Sequence, residues 1–206
     1  PQGWQADITD FSVAQNGSNL FKLSLKAGRM AGAANPIKAT GSLSAALAGL
    51  SGQPVFATLP VLKGGELQMD FSASAGRQQD VQGTLKLSDL IGPGGEKLPM
   101  VTADARATLE PGGRVIFNLP LIFSNLAQKR VSDLAITGTV IPAAPGYQIN
   151  ARLSGDDVFI DDVQMLAALT GSAPTQPAKA NAPSRDEVPF WHGLSGEVTL
   201  ALKRLH

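Results

Sequence analysis

A five-residue phrase recurs along this chain: a glycine, a polar residue, an aliphatic residue, any residue, and a second small or aliphatic one. It appears as Gly41-Ser-Leu-Ser-Ala, Gly65-Glu-Leu-Gln-Met, Gly83-Thr-Leu-Lys-Leu and Gly196-Glu-Val-Thr-Leu, with Gly138-Thr-Val-Ile as a looser copy. Residues two apart point to the same side of a strand, so the phrase predicts extended segments that open on glycine and carry one apolar face. A sheet built from them must hide that face against something. What covers it is the functional question.

The same period of two runs between the copies. Phe21, Leu23, Leu25 and Ala27 alternate with Lys22, Ser24 and Lys26. The pattern returns in Leu67, Met69, Phe71, Ala73 and Ala75, in Val81, Gly83, Leu85 and Leu87, and in Val101 to Leu109. Val115, Phe117, Leu119 and Leu121 continue it, as do Tyr147, Ile149, Ala151 and Leu153. Each run reads as a half-buried strand.

Residues that tolerate positive φ punctuate the runs: Asn16-Gly17, Gly64-Gly65, Gly92-Pro-Gly-Gly, Pro111-Gly-Gly and Pro145-Gly146. Such turns join neighbours antiparallel, because parallel neighbours need a crossover of about a dozen residues or more. The expected fold is mainly β, a long twisted antiparallel meander that can curl into an open groove or incomplete barrel. A closed β-sandwich is the alternative.

Two stretches depart from the strand pattern. The segment Ser44-Ala-Ala-Leu-Ala-Gly-Leu fits a short helix or a weak strand of small residues, and strand is carried through Ala45. Asp161 with Gln164 three residues on resembles a capping box, Val163, Leu166, Ala167 and Thr170 share one face, and Gly171 suits the end. That predicts one helix over 162–170. Residues 172–189 hold four prolines and almost no apolar side chains, the composition of a flexible linker. The division is thus a β-rich domain over 1–171, the linker, and a returning strand in 190–206 that completes or extends the sheet.

Composition removes several functions. Lys plus Arg equals Asp plus Glu at 17 each, which leaves no basic field for phosphates, so no nucleic-acid partner is expected. Cysteine is absent, excluding thiol catalysis, zinc ribbons and disulfides. No apolar run reaches the roughly 18 residues of a membrane-spanning helix, and the longest, Val115 to Phe123, is broken by Asn118 and Pro120. The chain begins at Pro1 with no signal-like segment, as a piece of a longer protein would, its anchor lying elsewhere.

Catalytic and metal constellations are also thin. His192 and His206 are the only histidines, too few for an imidazole metal site or a Ser-His-Asp triad. In His192-Gly-Leu-Ser-Gly the serine abuts Gly196, whereas a nucleophile elbow needs a residue between them, so the phrase reads as the start of a strand. Asp156, Asp157, Asp161 and Asp162 lack the spacing and closing glutamate of a calcium loop, so helix capping and a solvated turn account for them. Gly92-Pro-Gly-Gly-Glu-Lys lacks the ending of a phosphate loop. Trp4 and Trp191 read as core anchors. No enzyme, metal or cofactor is expected.

The apolar stripe has two readings. It can face a second layer in a closed core, or it can line an open groove for acyl chains. In the second case the contacts are Phe21, Leu23, Leu25, Leu67, Met69, Phe71, Leu85, Leu87, Phe117, Leu119, Tyr147 and Ile149.

The last quarter of the chain carries a resemblance. Leu153-Ser-Gly-Asp-Asp-Val-Phe-Ile-Asp-Asp-Val-Gln-Met-Leu, then the Pro-rich stretch, then Pro189-Phe-Trp-His-Gly-Leu-Ser-Gly-Glu-Val-Thr-Leu, resembles the later part of AsmA-like bacterial envelope proteins. The resemblance covers Leu153 to Leu205. It implies a periplasmic protein of Gram-negative bacteria, tethered to the inner membrane by a helix outside this chain. It also implies a role in outer-membrane assembly or in phospholipid movement along a β-sheet groove, with lipid and other envelope proteins as partners and no catalytic residues. The alternative from the residues alone is a structural or protein-binding β-sandwich that uses a strand edge.

Overall fold

The alternating runs form ten strands of a single sheet in the computed structural model, which describes residues 2–15, 17–32, 35–53, 61–144, 146–169 and 193–206. They are β1 (Trp4–Gln15), β2 (Ser18–Arg29), β3 (Ile37–Ala46), β4 (Gly64–Ala75), β5 (Gln79–Ile91), β6 (Met100–Leu109), β7 (Val115–Asn125), β8 (Arg130–Ala143), β9 (Gly146–Val158) and β10 (Leu194–Leu205). Their order in the sheet is their order in the chain. The sheet is not closed, and among the described residues there is no second sheet to make a sandwich.

The expected meander holds from β1 to β9, where every pair is antiparallel. It fails at β10, which joins β9 in parallel, Leu194 beside Tyr147 and Leu205 beside Val158. The sheet is therefore mixed. The chain between Val158 and Leu194 is long enough for the crossover that parallel pairing requires. The proposed linker, 172–189, lies outside the described residues.

Register sorts the residues into two faces. One row runs through all ten strands as Ala6, Ala27, Ala39, Ala73, Val81, Ala107, Phe117, Gly138, Ala151 and Val198. The adjacent row, on the opposite side, is Asp7, Lys26, Thr40, Ser72, Gln82, Arg106, Asn118, Thr137, Arg152 and Thr199. Not one polar side chain enters the first row and not one apolar side chain enters the second. A slip of one residue in any strand would exchange the two, so the pattern fixes the register of the whole sheet.

Gly65 and Gly196 lie at the starts of β4 and β10 as expected, but three of the recurring glycines do not open strands. Gly41, Gly83 and Gly138 lie inside β3, β5 and β8 on the apolar face. Phe71 stands between Gly41 and Gly83 in register, and Phe117 is paired with Gly138. A Cβ on Gly138 would come 2.8 Å from the Phe117 ring. Large rings need bare backbone beside them to lie on a pleated surface, and glycine supplies it. Gly64-Gly65 is not a turn either. It begins β4 at an irregularity opposite Asp89, whose φ of 53° shifts the parity of β5 and turns Leu90 toward the same side as Leu87. A Cβ on Gly65 would meet Leu90 and Leu47.

Two short helices sit at one end of the sheet. The first, α1 (Leu47–Ser51), follows β3 and occupies the segment expected to be either helix or weak strand. The second, α2 (Ile160–Leu169), is the expected helix, though it starts before Asp161, which is therefore inside the first turn rather than the cap. Buried apolar residues gather at this end: Leu20, Ala45, Leu90, Val101, Phe123 and Val158. Gln53 ties α1 to β1 through Gln15 at 3.0 Å, and Ser51 accepts the Leu62 N–H at 2.9 Å.

Candidate functional site

The fold leaves the apolar face of the sheet partly uncovered. All twelve residues expected to contact acyl chains share it by register: Phe21, Leu67 and Leu87 in one row, then Leu23, Met69 and Leu85, then Leu25 and Phe71, with Leu119, Phe117, Ile149 and Tyr147 farther across. Eleven are half-buried and Tyr147 is exposed, so none sits in a sealed core. Strand side chains screen one another along a row, which accounts for half-burial without a second layer. At the outer strands the screen is missing: Val198 is 71% and Leu200 63% exposed on β10.

Trp4, expected in the core, lies on β1 at 46% exposure. It is paired with Arg29, at the end of the sheet away from the helices. Edge position is the reason, since among the described residues no strand pairs with β1 on its outer side. Trp191 and His192 lie outside the described residues. Ser195 is the second residue of β10, beside Gln148, in keeping with a strand start. The Gly92 to Gly95 segment forms a turn closed by the Gly95 N–H to the Gly92 carbonyl at 3.0 Å.

The aspartate cluster is a set of ion pairs, not a solvated turn. Asp162 is fully buried; it accepts from Arg130 Nε at 2.9 Å, from the Arg130 guanidinium at 2.8 Å and from Asn125 Nδ2 at 2.8 Å. This fastens α2 to the β7–β8 hairpin and raises the Arg130 pKa, chiefly through the hydrogen bond to Asp162. The guanidinium also lies 4.9 Å from the centre of the Phe159 ring.

Asp156 and Asp157 serve the parallel join. Lys203 reaches Asp156 at 2.8 Å, and Arg204 donates to Asp157. His206 Nε2 lies 3.0 Å from Asp157, and its ring stacks on Phe159 at 4.5 Å. The Arg204 hydrogen bond, then that of His206, holds the Asp157 carboxyl below the usual carboxylate range. The Ile160 N–H donates to the His206 carbonyl at 3.1 Å, so β10 ends against the start of α2. These carboxylates are committed to cations of the same chain. Among the described residues no group of three or more acidic or imidazole side chains is arranged to hold a metal.

The two ends of the sheet thus differ. At one, helices and ion pairs pack on the strand ends and leave a pocket of about 590 Å³ between the ends of β5 and β7. At the other, toward Trp4 and Arg29, lies a cavity of about 410 Å³ lined by residues of β1, β2 and β3. Among the described residues no helix is long and apolar enough to cross a membrane. Comparison with protein-family models, with curated proteins and with solved structures found no match.

Proposed function

We propose that this chain is a non-catalytic module whose apolar sheet face holds acyl chains, in a periplasmic AsmA-like protein that supports outer-membrane assembly or phospholipid transport. One observation carries the reading: the row from Ala6 to Val198 is apolar in every one of ten strands. An apolar face that continues across a whole sheet is the kind of surface that marks a lipid or protein contact. An acyl chain laid along it gains about 0.8 kcal/mol per buried methylene, with no directional bonds required. The mechanism is solvation: no bond is made or broken, and a lipid moves by exchanging one set of aliphatic contacts for the next. Support for the family comes from the segment Leu153 to Leu205, whose two halves pair side by side as β9 and β10. Native mass spectrometry of gently purified protein tests the proposal, with bound lipid masses expected and a lipid-free spectrum counting against it.

A second reading rests on the outer strands. Both β1 and β10 are 12 residues long and leave one backbone edge without a neighbouring strand among the described residues. Such edges accept a strand from another protein by backbone hydrogen bonds. An apolar dye separates the two readings, because only an uncovered face takes it up in the native state.

A further inference from the structure

The two outer strands of the sheet are not equivalent. In β1 the register breaks between Ile8 and Phe11 and the charged Asp10 falls inside the break, two devices that discourage pairing at an edge. Neither a break nor a proline interrupts β10, whose register with β9 runs without a shift from Leu194 to Leu205. Its apolar side chains stand in the open, Val198 and Leu200 above all. The His206 N–H donates to the Val158 carbonyl at 2.9 Å, and the His206 carbonyl accepts from the Ile160 N–H at 3.1 Å, so both backbone groups of His206 turn inward. Successive residues of a strand turn these groups to alternate sides, which leaves those of Thr199, Ala201, Lys203 and Leu205 facing outward. Among the described residues no strand pairs with them.

The sequence of β10 is complementary to itself in one antiparallel register. With Leu200 set opposite Leu200 of a second copy, Thr199 faces Ala201 and Glu197 faces Lys203 across the join, each twice by symmetry, while Val198 meets Leu202 on the apolar side. Glu197 lies beside Asn150 in register and Lys203 beside Asp156, so the two charges share the polar side. Lys203 holds Asp156 at 2.8 Å with its side chain 72% exposed, and an ammonium has three donors, so it can take a second carboxylate. A strand paired with its own copy closes on a two-fold axis, whereas β10 joined to β1 would run on as an open filament. Resting on the edge-pairing reading, we infer that β10 receives the β10 of a second copy of this chain, antiparallel and in this register. The axis stands perpendicular to the sheet, so the apolar faces of the two copies lie on one side and form a single surface.

Sedimentation over a range of protein concentrations tests this, with the mass expected to rise from that of a monomer to twice it. Glu197→Lys sets lysines face to face across the join and Lys203→Glu sets glutamates face to face, and each should weaken the dimer about tenfold at low salt. Mixed in equal amounts, the two variants should pair again, because every 197–203 contact then joins opposite charges. That recovery separates the contact from any damage Lys203→Glu does within its own chain. A monomer at every concentration of the unaltered protein, a dimer indifferent to both substitutions, or a mixture that fails to recover would overturn the inference and leave the edge to a different protein. Slow hydrogen exchange of the Thr199 and Ala201 amides in the dilute monomer would mean that the edge is already occupied, and would remove the edge-pairing reading together with this inference.

Discussion

A Cβ on Gly41 would lie 2.6 Å from Cζ of Phe71, its partner across β3 and β4, and 2.7 Å from the Ser24 carbonyl oxygen. The glycine is thus a seat for the ring, and the backbone of β2 closes the seat from the other side. Gly41→Ala should therefore destabilise the fold by about 1–3 kcal/mol, the usual cost of overpacking. Gly52→Ala, where the nearest atom is 3.8 Å away, should cost far less. Urea denaturation of the two variants checks the contrast.

Asp162→Leu should be among the more damaging single changes. It leaves Arg130, whose side chain is 17% exposed, with only the exposed Asp161 at 4.0 Å, and it frees the Asn125 amide. Adding Arg130→Met should recover part of the loss, because an apolar pair replaces an ion pair more cheaply than a lone charge does. The midpoint of the double variant is expected between those of the parent and the single variant.

Acid should loosen the parallel join. Asp157 is held below the usual carboxylate range by Arg204 and then His206, and Asp80 by Gln78 and then Thr108. A depressed carboxyl contributes stability above its unfolded value of about 4, and the contribution disappears as pH falls through the lower folded value. Stability should therefore be level near neutrality and decline below about pH 4. The raised values of Lys203 and Arg204 work in the other direction, so their contribution is lost only in strong alkali. Asp157→Asn should flatten the acid limb; superimposable limbs in the two proteins would contradict the assignment.

Charge also selects the register of β10. Lys203→Glu sets two carboxylates side by side at Asp156 and should speed amide hydrogen exchange from Val198 to Leu205. Asp156→Lys in the same chain should slow it again. The pair is exposed, so the effect should weaken in high salt.

Strand identity was legible wherever parity was unbroken, and all twelve expected contact residues fell on one face for that reason. Two strands were harder to see. In β1 the parity of Trp4, Ala6 and Ile8 passes to Phe11 and Val13 through a register shift, which erases a strict alternation. In β8 the apolar Ala135 and Ile141 occupy the parity opposite Leu134 and Ile136, so periodicity is diluted. Glycines looked like punctuation because local propensity favours turns, whereas their positions here answer to rings on neighbouring strands. The parallel pairing depends on contacts between distant segments. Its one sequence signal is the match of Asp156-Asp157 with Lys203-Arg204, read as capping when the pairing is not known.

The central claim is that acyl chains lie on one face of this sheet and not the other. Photo-crosslinking with a diazirine-bearing fatty acid, followed by peptide mapping, tests it most directly. Labels are expected on Leu23, Met69, Leu85 and Phe117, and not on Lys22, Gln68, Lys86 or Asn118, their chain neighbours on the opposite side. Labelling spread evenly over both sets, or confined to the polar one, would contradict the account.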